Sequence, residues 1–318
     1  MRIGVLNNLR AGRSRHQVDR ILEFLDARRG IVHVETPCGD AVPEALSRLA
    51  AEGVDVLVVQ GGDGTLARAL TEILEHGVFR RPPLIAPLRG GRTNMTALEI
   101  GMSRDPVRAL RNLVAAARHG SLERHVRERA VLRLAIPSEG VVHHGMFFGA
   151  GVVQRAIALV HRTFPRGRTQ GVFASGIVTS GLVARAALGD ASGILDPDKI
   201  QLRLDGGDAE TGSYQLLIAS TLDRLFLRMR PFWGRGPGSL RLTAITREAL
   251  HLRRAALGIL RGRPPVFVHH TQGYSSRNVE QAELLLDCGF TVDGEIFAPE
   301  PGRHVELTAD RRLGFVRL

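Results

Sequence analysis

The chain has 318 residues and a formal net charge of +11, from 43 Lys and Arg against 32 Asp and Glu, and 44% of its residues are hydrophobic. This composition excludes a disordered chain, a collagen-like repeat and a disulfide scaffold, and the length predicts two domains that each bury a core. The two cysteines, Cys38 and Cys288, are far apart and lack a metal-type spacing, which favours a reduced, cytoplasmic protein.

The first 120 residues alternate between strand-like and helix-like segments. Apolar runs predict strands, and apolar residues at helical spacing predict helices, in the order β-α-β-α-β-α-β. The predicted strands are residues 2–6, 31–35, 55–60 and 84–87, and the predicted helices are residues 13–29, 42–52 and 66–76. This order predicts a Rossmann-like α/β domain over residues 1–120, with helices on both faces of a parallel sheet.

Beyond Gly120 the pattern changes to short strands separated by turn residues. Strands are predicted at residues 131–136, 141–148, 200–204, 214–219, 239–245, 266–270 and 290–296, and helices at residues 152–161, 171–188 and 247–261. The pattern predicts an antiparallel β-sandwich-type domain with helical insertions over residues 121–318, whose last strands return to the first domain. The apolar segment 171–188 contains Arg185, so a buried or interfacial helix is favoured over a membrane span, which needs about 20 apolar residues.

A glycine-rich loop, Gly61–Thr65, stands where a predicted buried strand ends and a helix begins. Glycines let the backbone approach a phosphate, and the helix N-terminus supplies free N–H groups. Thr65 can donate a hydroxyl hydrogen bond to phosphate, whereas Asp63 would repel it and therefore suggests a Mg²⁺-linked group or a general base. The alternative is a glycine-rich turn with an aspartate cap. The sequence has neither a P-loop nor a G-x-G-x-x-G motif after its first strand, which argues against P-loop nucleotidases and dehydrogenases.

With this loop, four further segments resemble the catalytic domain of the diacylglycerol kinase family, which includes bacterial lipid kinases and sphingosine kinases and, more distantly, NAD kinases. The segments are Asn8 with Gly12, Thr36 with residues 39–41, residues 91–94 with Ala97, and residues 293–295. Their order and separation cover nearly the whole chain. The most specific pair is Gly-Gly-Asp-Gly-Thr followed far downstream by Asp-Gly-Glu.

The resemblance implies a two-domain kinase that binds ATP between its domains, with Mg²⁺ bridging the phosphates. The implied nucleotide-binding residues are Asn8, Thr36, Gly61, Gly62, Asp63, Gly64, Thr65, Thr93 and Asn94. In the bacterial members the glutamate of Asp-Gly-Glu is taken as the base for the lipid hydroxyl, which here is Glu295. Asp63 is the rival base, or a metal-linked partner of Glu295. The alternative for residues 293–295 is a hairpin turn, because Asp-Gly is a strong turn dipeptide.

Several positions depart from the pattern of the family. Leu9 replaces a proline, Arg92 replaces a threonine, Met95 replaces an aspartate, Leu66-Ala67-Arg68 stands where many members have Asn-Glu, and Pro237-Gly238 lacks the carboxylate of a structural magnesium turn. These departures suggest a divergent lipid kinase. An NAD-kinase-like enzyme with a soluble acceptor and a non-catalytic member that binds nucleotide or lipid remain as alternatives.

Most of the excess positive charge lies in residues 223–263, which hold ten arginines and two acidic residues. Arginines and aromatic residues alternate there: Arg228, Arg230 and Arg235 flank Phe226, Phe232 and Trp233. This mixture suits peripheral docking on an anionic membrane at its inner, cytoplasmic face. The alternative is a strand with core aromatics and solvated arginines, in a protein whose 42 arginines reflect codon usage. No nucleic-acid-binding motif accompanies the segment. The expected partner is a membrane lipid substrate, and a homodimer is left open.

Overall fold

The structure, a computed structural model, describes residues 1–10, 15–28, 30–91, 93–163 and 196–318. These residues form two compact units. The first comprises Met1–Arg129 and Arg311–Leu318, and the second comprises the described residues from Ala130 to Asp310. The predicted helix at residues 171–188 lies outside the described residues, as do Gly12 and Arg92.

The first unit is built on a parallel sheet, as predicted. Its first five strands are β1 (Ile3–Asn8), β2 (Ile31–Thr36), β3 (Val56–Gly61), β4 (Leu84–Arg89) and β5 (Val126–Ala130), and its helices are α1 (Arg15–Asp26), α2 (Val42–Ala51), α3 (Asp63–Leu74), α4 (Met95–Ile100) and α5 (Pro106–Arg118). β1 to β4 are parallel neighbours in the order β2-β1-β3-β4. β1 and β3 are buried throughout, which explains the apolar runs that precede their polar last residues.

Helices cover both faces of this sheet because its side chains alternate. Ile3 and Val5 pack in a core with residues of α1 and α5, whereas a Cβ on Gly4 would meet Leu49 of α2 at 3.0 Å. α5 was not predicted, although Asp105 is a clear start signal: its carboxylate accepts the Val107 N–H at 3.0 Å and proline follows at the first helical position.

The strand order determines where a ligand can bind. β1 lies between β2 and β3, so the chain leaves the carboxyl ends of β1 and β3 in opposite directions. Ligands of open α/β sheets bind at such a switch point. Asn8 ends β1 and Gly61 ends β3, so both resemblance segments lie at this edge.

The second unit contains an eleven-stranded sheet whose strand pairs are antiparallel. The strands are β6 (Leu132–Ile136), β7 (Val141–Gly145), β8 (Phe147–Gly151), β9 (Asp198–Leu204), β10 (Glu210–Ser220), β11 (Leu240–Thr246), β12 (Tyr274–Val279), β13 (Gln281–Leu286), β14 (Phe290–Val292), β15 (Glu295–Phe297) and β16 (Arg303–Thr308). Two described helices, α6 (Val152–Thr163) and α7 (Leu252–Leu260), accompany them. The predicted fold class, a Rossmann-like unit followed by an antiparallel unit, is confirmed.

Three strand predictions in this unit differ from the structure. Residues 141–148 form two strands, and residues 290–296 form two strands joined by a tight turn. The strand predicted at residues 266–270 is wrong: Val268 N–H donates to the Pro265 carbonyl in a turn, and Val266 is fully exposed. Apolar residues alone predicted that strand, but the preceding prolines direct the chain into a turn.

The chain ends in the first unit. β17 (Arg312–Val316) lies parallel to β4, with Phe315 opposite Ile85. Its apolar side chains are buried, so this short strand extends the first sheet. None of the helices in the described part of the chain has the length and apolarity of a membrane span.

Candidate functional site

Two glycine loops lie in backbone contact at the carboxyl edge of the first sheet. Gly62 is the N-cap of α3, and its carbonyl accepts the N–H groups of Thr65 and Leu66 at 3.0 and 3.1 Å. The loop after β4 lies against it: Gly90 N–H donates to the Gly61 carbonyl at 3.2 Å, and a Cβ on Gly91 would lie 2.3 Å from the Gly62 Cα. Glycine is required at position 91 because this contact is between backbones.

Gly91→Ala is expected to destabilise the first unit by about 1–3 kcal/mol, the usual cost of overpacking. The matched control is Gly64→Ala, because a Cβ there meets nothing within 4 Å and the residue lies inside α3. Alanine exceeds glycine in helix propensity by about 1 kcal/mol, so the control should be neutral or stabilising. Chemical unfolding followed by circular dichroism measures both. Equal midpoints for the two variants would contradict the loop contact.

Asp63 joins the two loops through its carboxylate. Its Oδ2 accepts the Met95 N–H at 3.0 Å and its Oδ1 accepts the Thr96 N–H at 3.1 Å, so it caps the first turn of α4 from the start of α3. Burial raises the pKa of the Asp63 carboxyl above its usual value, and the two hydrogen bonds act in the opposite direction. The sequence alternative of an aspartate cap is thus partly correct, but the capped helix is α4 rather than α3.

Asn94 shapes the second loop. It is buried in a left-handed conformation with φ 50°, and its side-chain amide accepts from the Gly91 N–H and donates to the Gly91 carbonyl, both at 2.6 Å. Asparagine tolerates this backbone region because its short amide can bond locally. Asn94 therefore acts on the loop itself, while the predicted neighbour Thr93 is partly exposed.

Asn8 and Thr65 are hydrogen-bonded to each other across the switch point. Asn8 Nδ2 donates to Thr65 Oγ1 at 2.9 Å, and both residues are buried. Because Thr65 Oγ1 accepts this bond, its own hydroxyl hydrogen is directed elsewhere and can be donated to an anion. The Thr36 hydroxyl donates to the Asn7 carbonyl at 3.4 Å, which ties the end of β2 to β1.

Arg68 is a residue of this edge that the sequence marked only as a departure. Its guanidinium donates to Asp40 Oδ1 at 2.8 Å, and a Cβ on Gly39 would lie 2.9 Å from the Arg68 Cζ. The arginine on α3 thus covers the segment before α2 that resembles a nucleotide contact of the family. Arg68 therefore places a positive group beside this segment.

Two buried amides at the switch point were also missed. Asn7 and Gln60 lie opposite each other in the register of β1 and β3, with 0% and 1% exposure. Neither polar side-chain atom of Asn7, nor the Gln60 Oε1, has a hydrogen-bond partner among the described residues. Such groups cost about 1–3 kcal/mol when left unsatisfied, so they suit contact with water or a polar ligand. Their sequence signal is a polar residue ending an apolar strand.

Residues Asp293–Glu295 lie in the second unit and form a tight hairpin between β14 and β15. Asp293 and Gly294 both have positive φ, 46° and 88°, as a type I′ turn requires. Asp293 Oδ2 accepts the Met146 N–H at 2.8 Å, which anchors the turn to the sheet. Glu295 is the first residue of β15, an edge strand that is held by stacking of Phe297 on Phe290 at 4.6 Å. The hairpin alternative describes this geometry correctly. The anchored hairpin also holds the backbone of Glu295 in a fixed position.

The predicted membrane residues divide into two groups. Arg228 and Arg230 are exposed, whereas Phe232 and Trp233 are half-buried. The Trp233 side chain packs against the core cluster that contains Ile245, and the Trp233 backbone N–H donates to the Ser276 hydroxyl oxygen at 3.2 Å. The alternative of core-facing aromatics therefore fits Trp233 better than membrane insertion does.

The comparisons with known proteins agree with the resemblance. Residues 2–121 match the family model of the diacylglycerol kinase catalytic domain. No protein of curated function matches the sequence closely enough to count as a relative. The matched segment contains both glycine loops, Asn8 and Thr36, and it ends before the second unit begins.

Solved structures match over the full chain at low identity. A diacylglycerol kinase from Bacillus anthracis str. Sterne is 13% identical, with a TM-score of 0.62 over 100% of this chain and 97% of that one. A second structure from that organism, provisionally described as a diacylglycerol kinase, is 14% identical with a TM-score of 0.67 over 100% and 96%. Yeast NADH kinase in complex with NADH is 10% identical, with a TM-score of 0.52 over 100% and 84%. At these identities the likeness shows the fold.

Proposed function

We propose that this protein is an ATP- and Mg²⁺-dependent kinase that phosphorylates the hydroxyl group of a diacylglycerol-type lipid. The observation that carries the proposal is the Gly61–Thr65 loop, which ends β3 at the switch point and opens α3, within the segment that matches the diacylglycerol kinase catalytic domain. A glycine loop that leads into a helix N-terminus binds phosphate through unpaired N–H groups and the helix dipole.

The residues around this loop would bind the nucleotide by different means. The backbone of Gly62 and Gly64 permits close approach of a phosphate. The Thr65 hydroxyl, held by Asn8 at 2.9 Å, donates a hydrogen bond to it. The contact between Gly61–Gly62 and Gly90–Gly91 holds the loop in this form before nucleotide binds, which lowers the entropic cost of binding.

Asp63 fits a role beside Mg²⁺ that arrives with ATP. Each of its oxygens accepts one backbone N–H and keeps a lone pair. Mg²⁺ is commonly bound by one or two carboxylates with substrate phosphates and water, and the described residues contain no cluster of three acidic, histidine or cysteine ligands. Bound there, the ion would neutralise phosphate charge. Asp63 itself would hold α4 and the second glycine loop in place.

We assign the proton acceptor for the lipid hydroxyl to Glu295, the role that the resemblance implies. In the transfer, the acceptor oxygen forms a bond to the γ-phosphorus, the bond from that phosphorus to ADP breaks, and the hydroxyl proton passes to the Glu295 carboxylate. Phosphoryl transfer needs positioning and charge stabilisation above all, with one group to accept the proton. The anchored hairpin supports this role because it restricts the backbone that carries the Glu295 side chain.

A transfer assay with radiolabelled ATP tests the function directly. The protein is incubated with radiolabelled ATP and Mg²⁺ in three separate reactions. These contain a diacylglycerol dispersion, a total lipid extract, and NAD or NADH. Label in phosphatidic acid is the expected result. Label only in the dinucleotide would favour the second candidate, an NAD-kinase-like enzyme. The fold likeness to yeast NADH kinase supports this candidate. Nucleotide binding without any transfer would contradict both and favour a non-catalytic member.

A further inference from the structure

The outer face of α7 is basic and apolar at once. Its exposed residues are Arg253, Arg254 and Leu257, and the exposed Arg261 follows as its C-cap. At 3.6 residues per turn these four positions fall within about 100° of the helix circumference. Ala255 and Ile259, on the opposite side, are buried in the core cluster beneath. Leu257 is 56% exposed, so an apolar side chain projects from the centre of an arginine stripe.

Further exposed apolar residues lie beside this helix. Val266 is fully exposed, and Leu250, just before the helix, is 51% exposed. The segment that carries Val266 packs on α7, because a Cβ on Gly258 would lie 2.9 Å from the Pro265 Cδ. At the other end of the helix, the His251 ring meets the edge of Phe267 at 5.7 Å. The segment that carries the exposed Val266 therefore runs along α7, on the side of Gly258 and His251.

No acidic residue balances this charge nearby in the sequence. Between Glu248 and Glu280 there are five arginines and no aspartate or glutamate. Within the described part of the chain, no ion pair involves the arginines of the stripe at positions 253, 254 and 261. Most surface arginines elsewhere in proteins are offset by interspersed acids, so this stripe is a local concentration of positive charge.

We propose that this surface, the α7 face (Leu250, Arg253, Arg254, Leu257, Arg261 and Val266), docks on an anionic lipid bilayer. The inference rests on the proposed function, since it names the surface by which the kinase would reach a lipid acceptor. Arginines attract the headgroups, and the exposed leucines and valine enter the boundary between headgroups and acyl chains. The docking residues are thus different from Phe232 and Trp233, which the sequence had suggested.

Charge and apolarity together select this occupant over two others. A symmetric dimer through the α7 face would bring its own arginines against their copies, which is repulsive. A nucleic acid would satisfy the arginines but would leave Leu257 and Val266 without a counterpart, because phosphate contacts are polar. A bilayer with anionic headgroups offers both a negative surface and an apolar layer just below it.

Vesicle sedimentation of the 318-residue protein tests the docking surface without any need for catalysis. The probe is phosphatidylcholine vesicles with and without phosphatidylserine. Each arginine near an anionic surface is worth about 1 kcal/mol, so Arg253→Gln with Arg254→Gln should weaken binding about 30-fold at low salt. The matched control, Arg80→Gln with Arg81→Gln, changes an adjacent exposed pair in the first unit and should bind as the wild type does.

The apolar part is tested by Leu257→Gln, which should weaken binding by about ten-fold because a leucine no longer enters the bilayer. Its control is Leu285→Gln, at a leucine 41% exposed on β13. Circular dichroism verifies that all four variants are folded.

Three results would overturn the inference. They are no binding of the wild type to phosphatidylserine vesicles, equal binding by the α7 variants and the wild type, and a dimer that Leu257→Gln dissociates. Failure of the proposed function is distinguishable from these. Activity on a dispersed short-chain diacylglycerol should be the same in the wild type and the α7 variants. Vesicle binding without any lipid phosphorylation would retain the docking surface and reject the kinase proposal.

Discussion

Replacing Asp63 by alanine is expected to lower phosphoryl transfer by about 100-fold or more. The carboxylate accepts the N–H groups of Met95 and Thr96 and so holds the second glycine loop against the first. Without it the loops lose their register, and a misplacement of about 1 Å can cost 100-fold in rate. Steady-state transfer rates, and hydrogen exchange at the Met95 and Thr96 amides, measure the two effects. Wild-type exchange at these amides would contradict the positioning role.

A second aspartate cap in the same unit is the matched control. Asp105 accepts the Val107 N–H at 3.0 Å and starts α5 in the ordinary way. Asp105→Ala and Asp63→Ala should each cost about 1 kcal/mol of stability, because each removes a helix cap. Asp105→Ala should leave the transfer rate unchanged at a temperature where both variants are folded. If both variants lost activity equally, the effect of Asp63 would be one of stability alone.

Glu295→Gln is expected to lower the transfer rate by about 100- to 10,000-fold, the usual contribution of a general base. The amide keeps the size of the side chain and the β14–β15 hairpin, because the turn depends on Asp293 and Gly294. Nucleotide affinity should be unchanged, because the proposed phosphate-binding residues lie in the first unit. Single-turnover transfer and ATP binding, measured on the same preparation, separate these two quantities.

Glu280→Gln is the control for this change. Glu280 is an exposed glutamate of the second unit, in the link between β12 and β13, and its backbone N–H rather than its side chain bonds to Asp205. The Glu280→Gln variant should transfer phosphate at the wild-type rate. A Glu295→Gln variant with full activity would show that another group accepts the proton, and it would leave Asp63 as the next residue to test.

The sequence predicted the elements whose signals are local. Continuous apolar runs predicted the parallel strands, and Gly61–Thr65 was correctly expected at the junction of β3 and α3. Asp293–Gly294 was correctly offered as a turn, because two residues with positive φ favour Asp-Gly. The strand predicted at residues 266–270 failed because its apolar residues match a strand pattern, whereas the prolines just before them direct the chain into a turn.

Contacts between distant segments could not be read from the chain. Three contacts in the first unit join residues 28 to 33 positions apart. They are the hydrogen bonds from the start of α4 to Asp63, the backbone contact of Gly91 with Gly62, and the ion pair of Arg68 with Asp40. The return of β17 to β4 joins residues much farther apart. A sequence pattern carries local backbone preference, whereas each of these contacts depends on the packing of whole elements.

The charged and apolar residues of the second unit show the same division between local and tertiary information. The sequence alone determined the fold class, the position of the glycine loop and the concentration of arginine in residues 223–263. Only the tertiary structure decided which apolar residues in that segment and just after it reach solvent: Trp233 packs on a core cluster, while Leu257 and Val266 are exposed. The reason is physical, because exposure depends on what covers a side chain, and those covering groups come from elsewhere in the fold.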